Sequence, residues 1–283
     1  MAKILDGKQV VAKLNDNLRA EVERLKSAGI TPALAIVRLG ERADDLSYER
    51  GARKRAETVG VAVQPFTLPL ATTEAELLAV IEQINRDASL HGLLLFRPLP
   101  KQIDEEKVRN AIHPHKDVDG ITDLSLAGVF TGSGQGYPPC TAQACLETFD
   151  HFGIELKGKR VVVIGRSLVV GKPLAMMLLG HHATVTICHT RSVDMAALCR
   201  EAEILIAAAG KAKMVGKDFC SPRQIVLDVG INVDEAGNLM GDVDFAAAEQ
   251  VVEAITPVPG GIGTVTTSVL LKQVVAAAMK SNA

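Results

Sequence analysis

The sequence lacks several features that would assign it to a broad functional class. Its 283 residues include 31 lysines and arginines against 33 aspartates and glutamates, a formal net charge of -2. Without an excess of basic residues, neither nucleic acid nor an anionic membrane surface is expected as a main partner. No apolar run approaches a membrane span. The N-terminal stretch, with Lys3, Asp6 and Lys8, lacks the apolar core of a signal peptide, so a cytoplasmic protein is expected.

Motifs for metals and disulfides are also missing. The five cysteines include no CxxC pair, so buried reduced thiols are expected in place of a disulfide framework or a zinc site. Four histidines form two close pairs, but neither spacing places two imidazoles on one helix face beside a carboxylate. These pairs are His113 with His115 and His181 with His182. No metal is predicted.

What the sequence does contain is an alternation of helix and strand signals. Asp6 can cap a first helix and Asp44 or Asp45 a second, while Thr73 with Glu76 forms a capping box. Short apolar runs between these signals are typical of buried parallel strands. The predicted strands are 32–39, 61–66, 91–96, 160–165, 183–188, 203–208 and 225–230.

Repeated βα units predict an α/β protein with parallel sheets covered by helices. The composition shifts to Gly, Ser, Thr and Pro over 116–139, which indicates a loop or a domain junction. We therefore predict two α/β domains, an N-terminal parallel-sheet domain over 1–138 and a Rossmann-like domain over 139–267. The last apolar helix, 268–283, is expected to pack back on the first domain.

The stretch 160–173, RVVVIGRSLVVGKP, predicts a nucleotide-binding turn. After a wholly apolar strand, Gly165 allows a sharp turn and Gly171 allows a close approach of the backbone. Pro173 suits the first turn of a helix whose free N–H groups could bind a phosphate. Because the spacing differs from GxGxxG, a strand-to-helix turn without a ligand is the alternative.

The residues after the next strand favour NADP over NAD. NAD sites usually have an acidic residue there to bind the ribose 2′-hydroxyl, whereas this chain has Thr190 and Arg191. Arg191, with Arg166 in the glycine turn, suits a 2′-phosphate. The alternative is that Arg191 is a solvated loop charge.

Ordered motifs run along nearly the whole chain. In the second half they are GRSLVVGKP, TVTICHTR, DVGIN, GDVDF and TPVPGGIG, and in the first half KDVDG, PPCT and the PLP that follows HGLLLF. Together they resemble the bifunctional methylenetetrahydrofolate dehydrogenase/cyclohydrolase family, the FolD type. The resemblance implies a homodimer in which a tetrahydrofolate derivative binds in the cleft between an N-terminal catalytic domain and a C-terminal NADP domain.

The resemblance also implies roles for individual residues. Asp119 would hold the pterin amino and ring N–H groups, because a carboxylate suits a paired donor edge. Asp117 is the other acid that could hold the pterin. Alternatively, Asp119 has only a structural role as a turn residue before Gly120. The implied cofactor-binding residues are Gly165, Arg166, Ser167, Thr190, Arg191 and Ile231, and the implied substrate-binding residues are Tyr48, Phe96, Asp119, Pro259, Gly260 and Gly261.

The predicted catalytic helix departs from the family pattern of a tyrosine, a lysine four residues later and a second lysine two beyond that. This chain has Tyr48, Ala52 and Lys54 at these positions. Residues four apart share a helix face, so Ala52 occupies the place of the catalytic lysine and Lys54 is not a simple substitute. Arg55 returns to the face of Tyr48, but arginine cannot act as a base.

Two further departures accompany Ala52. Phe96 replaces the glutamine expected to hydrogen-bond the lysine and is followed by Arg97, and Thr264 replaces a proline after PGGIG. Hydride transfer from the folate needs no protein base, whereas hydrolysis of the methenyl product needs proton transfers. The substitutions therefore threaten the cyclohydrolase more than the dehydrogenase, and Tyr48, Lys54 or a water held by Asp119 would have to support hydrolysis.

The sequence thus predicts an NADP-dependent methylenetetrahydrofolate dehydrogenase with an altered cyclohydrolase site. Tyr48, Asp119 and Lys54 are its candidate catalytic residues. A dehydrogenase alone and a folate- or NADP-binding protein without turnover are the alternatives. A hydroxy or keto acid dehydrogenase would need a His or Lys proton relay beside the cofactor. The sequence shows no obvious relay, and Lys172 and Lys211 are the residues left open for it.

Overall fold

The computed structural model describes residues 1–281 and divides into two compact units. Met1–Ala12 and Thr141–Thr266 form one unit, which we call the six-stranded unit. Lys13–Cys140 and the segment from Thr267 onward form the other, the three-stranded unit. Both are built of helices and parallel strands, so the predicted two-domain α/β class is confirmed.

The bounds of the elements follow the chain. The helices are α1 Gly7–Ser27, α2 Ala43–Val59, α3 Glu74–Arg86, α4 Glu105–Asn110, α5 Asp123–Thr131, α6 Cys140–Phe152, α7 Gly171–Gly180, α8 Met195–Arg200, α9 Phe245–Ala248 and α10 Ile262–Lys280. The strands are β1 Lys3–Ile4, β2 Ala33–Leu39, β3 Ala62–Leu68, β4 Gly92–Leu95, β5 Arg160–Ile164, β6 Thr184–Cys188, β7 Ile204–Ala207, β8 Ile225–Asp228, β9 Asn232–Val233, β10 Leu239–Met240 and β11 Ala254–Ile255.

The three-stranded unit has a parallel sheet in the order β3-β2-β4. Every residue of β2 is buried, as expected of a central parallel strand. The capping box of Thr73 and Glu76 forms as predicted at the start of α3. The predicted cap of α2 is wrong, because Arg42 occupies that position without a side-chain bond while Asp44 and Asp45 lie in the first turn. At that position the two carboxylates still interact favourably with the positive end of the helix dipole.

The six-stranded unit has an all-parallel sheet in the order β1-β11-β8-β7-β5-β6. The chain passes from β5 to β6 on one side and then returns to β7 on the other side of β5. This reversal is the topological switch point beyond which ligands of open α/β sheets bind. The carboxyl end of β5, where the glycine turn begins, therefore lies at the expected ligand position.

Three segments differ from the sequence expectations. Residues 1–12 group with the six-stranded unit because Lys3 and Ile4 of β1 pair with Ala254 and Ile255 of β11. The segment 116–139 is not all loop: it contains α5, whose first turn is capped by Thr122 Oγ1 accepting from the Ser125 N–H at 3.1 Å. The last helix begins at Ile262, six residues before the predicted start at Ser268.

The helix α10 also corrects the expectation that no apolar run approaches a membrane span. By length and composition alone, α10 could cross a membrane. However, 67% of its apolar window is buried inside the protein. The core helix of a globular unit has the same length and composition, so the observation is weak support for a span.

Candidate active site

The glycine turn after β5 forms a tight cradle at the switch point. Gly165 has a φ of 126°, and a Cβ there would lie 2.1 Å from the carbonyl oxygen of Ala208, the residue that follows β7. A Cβ on Gly171 would lie 2.1 Å from the carbonyl oxygen of Gly165. Only glycine fits at both positions, so the backbone of the turn and the first turn of α7 approach each other as a phosphate site requires.

The segment between these glycines presents polar groups to solvent. Ser167 Oγ accepts a hydrogen bond from the Val170 N–H at 3.1 Å, which orders the approach to α7 and leaves the hydroxyl proton available. Arg166 and Ser167 are exposed. The ten-residue helix α7 begins here, and its first N–H groups favour an anion.

The turn after β6 is closed by its own side chains. The His189 N–H donates to Ser192 Oγ at 2.9 Å, and the Arg191 N–H donates to His189 Nδ1 at 3.1 Å. Thr190 and Arg191 are exposed, and no carboxylate stands in this turn. Within residues 1–281 no ion pair or hydrogen bond engages the guanidinium of Arg166 or Arg191. This donor set fits a 2′-phosphate.

Two buried carboxylates shape the adjacent loops. Asp228 accepts from the N–H groups of Gly230 at 3.0 Å, Asp242 at 3.0 Å and Val243 at 2.9 Å. Burial raises the pKa of Asp228 to about 6, against the lowering effect of these hydrogen bonds. The DVGIN and GDVDF motifs therefore contain structural carboxylates, a role that their resemblance to a binding motif did not reveal.

The second of these carboxylates holds the loop after β7. Asp242 accepts from the N–H groups of Ala209 at 2.6 Å, Gly210 at 2.8 Å and Lys211 at 2.8 Å, and from Asn232 Nδ2 at 3.0 Å. These bonds fix the backbone beside the Gly165 cradle. The backbone N–H of Lys211 is thus one of the groups that Asp242 holds in this loop.

A cavity of about 180 Å³ in the six-stranded unit is lined in part by Asp228. It brings together Ile231 and three residues of the PGGIG motif, Pro259, Gly260 and Gly261. Thr264, which replaces the family proline, also lines it. The structure thus places predicted cofactor-side and predicted substrate-side residues around one cavity.

The predicted catalytic helix α2 belongs to the three-stranded unit. Its buried residues are Asp45, Glu49, Ala52, Ala56 and Val59. Ala52 is 0% exposed, whereas Lys54 is exposed and Tyr48 is 40% exposed. Lys54 does not share the buried face on which Ala52 lies, in agreement with helix geometry.

Phe96 packs against the predicted catalytic tyrosine. The rings of Tyr48 and Phe96 form an edge-to-face pair with centroids 5.7 Å apart and an interplanar angle of 82°. An apolar ring therefore occupies the position from which a glutamine would hydrogen-bond a lysine. The two replacements, Ala52 and Phe96, both remove polar groups from this region.

An ion-pair cluster fixes α2 against β2. Glu49 accepts from Arg38 Nε at 2.9 Å and from Arg53 Nε at 2.8 Å. Burial raises the pKa of Glu49, but the two guanidinium groups outweigh it and hold this pKa below its ordinary value. Glu49 is one residue from Tyr48, so the cluster holds the backbone of α2 at the tyrosine.

The two aspartates of KDVDG have different surroundings. Asp117 is fully buried, and its oxygens accept from the N–H groups of Ile121 and Thr122, each at 2.9 Å. Asp117 is therefore the turn-forming acid. Asp119 is only partly buried, and it is the carboxylate that remains available for a ligand.

The electrostatic surroundings of Asp119 include groups that sequence reasoning missed. Burial of the carboxyl group raises the pKa of Asp119 to about 6, opposed by the charge of Arg97 and a hydrogen bond from Cys140 and assisted by the charge of Asp117. Arg97 is held 3.4 Å from Glu105, whose other oxygen accepts from the Leu99 N–H at 3.0 Å. Arg97 is visible in the sequence as a departure from the family pattern, but its proximity to Asp119 is not.

The cysteines agree with the expectation of reduced thiols. All five are buried and unpaired, as predicted. Among residues 1–281, no group of three or more His, Cys, Asp and Glu side chains is arranged to hold a metal ion.

A glycine cradle at the switch point of a parallel sheet, with two unengaged arginines beside it, defines a dinucleotide-dependent enzyme of the Rossmann class. Two family models match the sequence: the NAD(P)-binding domain of tetrahydrofolate dehydrogenase/cyclohydrolase over 139–282, and the catalytic domain of the same family over 5–119. The chain belongs to the tetrahydrofolate dehydrogenase/cyclohydrolase family.

Individual relatives agree over the full length. A bifunctional protein FolD of Clostridioides difficile is 48% identical over 280 residues, which cover 99% of this chain and 98% of that protein. The crystal structure of the FolD bifunctional enzyme from Campylobacter jejuni is 36% identical with a TM-score of 0.96, covering 99% of both chains. The Trypanosoma brucei enzyme, whose structure contains NADP and an inhibitor, is 32% identical with a TM-score of 0.93, covering 99% of this chain and 98% of that one.

Proposed function

We propose that this protein oxidises 5,10-methylenetetrahydrofolate to 5,10-methenyltetrahydrofolate with NADP and hydrolyses the product to 10-formyltetrahydrofolate. This activity belongs to folate one-carbon metabolism. Its main support is the match of both domains to the family together with the cradle at Gly165 and the free arginines beside it. Oxidation is the stronger activity in this proposal and hydrolysis the weaker one.

The residues of the six-stranded unit fit the cofactor. Gly165 and the N-terminal N–H groups of α7 would hold the pyrophosphate, with Ser167 as a further donor. Arg166, Thr190 and Arg191 would bind the 2′-phosphate, since exposed guanidinium groups without partners suit a dianion. When bound, NADP supplies the hydride acceptor, and Ile231 at the 180 Å³ cavity would contact its nicotinamide side.

On the substrate side, Asp119 would accept hydrogen bonds from the amino and ring N–H groups of the pterin. Asp117 is not available for this part because it is fully buried and both of its oxygens accept from backbone N–H groups. Pro259, Gly260 and Gly261 would let the flat ring approach the backbone. Oxidation then depends on positioning, since the folate nitrogen lone pair drives loss of the hydride without a protein base.

Hydrolysis depends on proton transfers that this chain is poorly equipped to provide. The position of the family lysine is Ala52, which has no titratable group and is fully buried. Tyr48, Lys54 and a water held by Asp119 are the remaining candidates for proton transfer. We therefore propose that methenyltetrahydrofolate is released and hydrolysed more slowly than it is formed, with a dehydrogenase alone as the limiting case.

The assembly and location of the protein are part of the same proposal. We propose a cytoplasmic homodimer, on the strength of the family resemblance. Sedimentation of the purified protein would then give the mass of two chains of 30.0 kDa. A single-chain mass at working concentrations would contradict the dimer and leave the enzymatic proposal standing.

One assay tests the enzymatic proposal. Methylenetetrahydrofolate and NADP are supplied, and NADPH, methenyltetrahydrofolate and 10-formyltetrahydrofolate are followed separately. NADPH should form, and methenyltetrahydrofolate should accumulate before 10-formyltetrahydrofolate. Absence of NADPH with both ligands bound would favour a binding protein without turnover, and hydrolysis at the uncatalysed rate would leave a dehydrogenase alone.

A further inference from the structure

The loop that follows β7 turns three consecutive backbone N–H groups toward one carboxylate. Asp242 is fully buried, and its Oδ2 accepts from the N–H groups of Ala209 at 2.6 Å and Gly210 at 2.8 Å. Its Oδ1 accepts from the Lys211 N–H at 2.8 Å and from Asn232 Nδ2 at 3.0 Å. Adjacent N–H groups of this kind can bind an anion, so Asp242 occupies the place that a ligand phosphate would need.

The carbonyl groups of the same loop point the other way. In a planar trans peptide the C=O lies opposite the N–H, so the carbonyls of Ala208, Ala209 and Gly210 point away from Asp242. Within residues 1–281 none of these three oxygens accepts a hydrogen bond. Ala209 and Gly210 are exposed, and Ala208 is half-buried. The free side of the loop is therefore a row of hydrogen-bond acceptors.

This row lies at the switch point of the six-stranded sheet. The Ala208 N–H donates to the Ile164 carbonyl oxygen at 2.8 Å, and the Ala208 carbonyl oxygen is the atom that a Cβ on Gly165 would meet at 2.1 Å. Strand β7 lies between β5 and β8, whereas β6 lies on the other side of β5. A dinucleotide whose 2′-phosphate is bound by Arg191, after β6, would therefore extend past Gly165 toward β7 and β8, where Ile231 lies.

We propose that the loop 208–210 is an acceptor-only subsite for the ribose of the nicotinamide half of NADP, and that Asp242 is the positioning residue that orients it. The choice of ligand rests on the proposed function. Ribose hydroxyls are donors that free carbonyls can accept, whereas a phosphate offers acceptor oxygens. Because Asn232 follows Ile231, the same carboxylate also ties the nicotinamide-side residue to this loop.

Asp242→Asn separates this role from general stability. Each oxygen of Asp242 accepts from two donors, so the amide nitrogen of asparagine would leave two donors without an acceptor in either orientation. The loop should then lose its orientation, and the affinity for NADP should fall by about 10-fold, as for the loss of one or two hydrogen bonds. Adenosine 2′,5′-bisphosphate, which lacks the nicotinamide ribose, should bind the variant and the unsubstituted protein equally.

Calorimetric titration of the full-length protein with each of the two compounds measures these affinities. Asp244→Asn is the matched control, because Asp244 is the next acid of the same motif and accepts from the Ala247 N–H at 3.4 Å, at the start of α9. The control should bind both compounds as the unsubstituted protein does. Unchanged NADP affinity in Asp242→Asn, an equal loss for both compounds, or the same loss in Asp244→Asn would overturn the proposal.

Amide hydrogen exchange tests the loop without any substitution, and so also decides the case in which Asp242→Asn does not fold. In the unsubstituted protein the N–H groups of Ala209 and Gly210 should be protected before NADP is added, because they already donate to Asp242. Amides that exchange at the unprotected rate until NADP is added would overturn the inference. Failure of the unsubstituted protein to bind NADP would overturn the proposed function and the choice of ligand, while the exchange measurement still tests the orientation of the loop.

Discussion

Ala52 is the residue on which the proposal of weak hydrolytic activity rests. It lies on the buried face of α2, one turn from Tyr48, and has no exposed surface. The ring of Phe96 contacts that of Tyr48, so the replacements at 52 and 96 leave an apolar region next to the tyrosine. A proton relay there would require a basic side chain with a polar partner to hold it.

Restoring both polar residues should restore hydrolysis. In Ala52→Lys with Phe96→Gln, the rate of methenyltetrahydrofolate hydrolysis should rise by about 10²-fold, the lower range for a positioned general acid or base. Disappearance of methenyltetrahydrofolate measures the rate. Gly51→Lys is the control, since it adds the same charge to an open position of the same helix. An equal rise in that control, or no rise in a folded double variant, would contradict the assignment of Ala52.

The sequence alone does not show which aspartate of the KDVDG motif, Asp117 or Asp119, is free to bind a ligand. Both aspartates precede a turn in the same short motif, and either could bind the pterin. Their roles differ because the N–H groups of Ile121 and Thr122 point at Asp117 and not at Asp119. That direction follows from the backbone path into α5, which the Gly- and Ser-rich composition of 116–139 did not indicate.

Asp228 should make folding pH-dependent in an unusual direction for an acid. Its folded pKa is raised to about 6 from 3.8, so the folded state binds its proton more tightly than the unfolded state does. Its contribution is fully present below the unfolded value and is lost as the pH rises through about 6. The loss corresponds to about 3 kcal/mol, from ~1.4 kcal/mol for each pKa unit.

Comparison with Asp228→Asn isolates this effect from other titrating groups. The unfolding free energy of the unsubstituted protein minus that of the variant should fall by about 3 kcal/mol as the pH rises from below 4 to 7. Urea unfolding at a series of pH values measures the difference. A difference that is constant, or that grows with pH, would show that burial does not raise this pKa.

At the scale of elements, the junction between β5 and α7 has the least tolerance for change. Gly165→Ala would place a methyl group 2.1 Å from the Ala208 carbonyl oxygen at a φ of 126°. We expect it to cost about 2–4 kcal/mol of stability and to abolish NADP binding, because the cradle must open to admit the methyl group. Thermal unfolding and calorimetric titration with NADP measure the two effects.

Helix α7, which follows the turn of Gly165, supplies a control for this substitution. Gly180, at the last position of α7, lies in open space, and a Cβ added there would have nothing within 4 Å. Gly180→Ala should therefore leave NADP binding intact and change stability by less than about 1 kcal/mol. Tight NADP binding by Gly165→Ala would contradict the close approach of the backbone at the switch point.

The strands were the most predictable elements. Each long strand predicted from an apolar run is found within two residues of its expected bounds. Strands β2, β4, β5, β7 and β8 are mostly buried and leave a continuous apolar signal. Strands β3 and β6 lie at sheet edges and keep exposed residues, so their apolar signal is weaker. The short strands β1 and β11 were not predictable, since two-residue pairings such as Lys3 with Ala254 depend on distant segments. The cap of α2 failed for a similar reason: Asp44 and Asp45 carry the usual signal, but the chain enters the helix before them, at Arg42.

The site was predictable where backbone chemistry alone decides it. Gly165 and Gly171 were identified because no other residue fits such a turn, and the structure shows the contacts that require them. The environment of Asp119 was not, because nothing in the sequence indicates that Arg97 and Cys140 lie near its carboxyl group. Long-range electrostatics of this kind requires the folded arrangement.

At the scale of the whole molecule, the proposed chemistry is divided between two units. The glycine cradle, Arg166 and Arg191 belong to the six-stranded unit, whereas Asp119 and Tyr48 belong to the three-stranded unit. Each unit has its own hydrophobic core around its own parallel sheet. Substitutions at exposed or partly buried binding residues should therefore affect one ligand and leave the affinity for the other nearly unchanged.

Paired variants test this division. Arg191→Ala should weaken NADP binding by about 10- to 100-fold, through loss of a charge-assisted contact worth ~1.5–3 kcal/mol, without weakening folate binding. Asp119→Asn should weaken folate binding by a similar factor and leave NADP binding unchanged. Titration of each ligand into each variant gives the four affinities. NAD serves as the internal control for Arg191→Ala. Because NAD lacks the 2′-phosphate, it should bind the unsubstituted protein and the variant equally. An equal loss of affinity for NAD would mean that Arg191 acts on the fold of the turn after β6 and not on the phosphate.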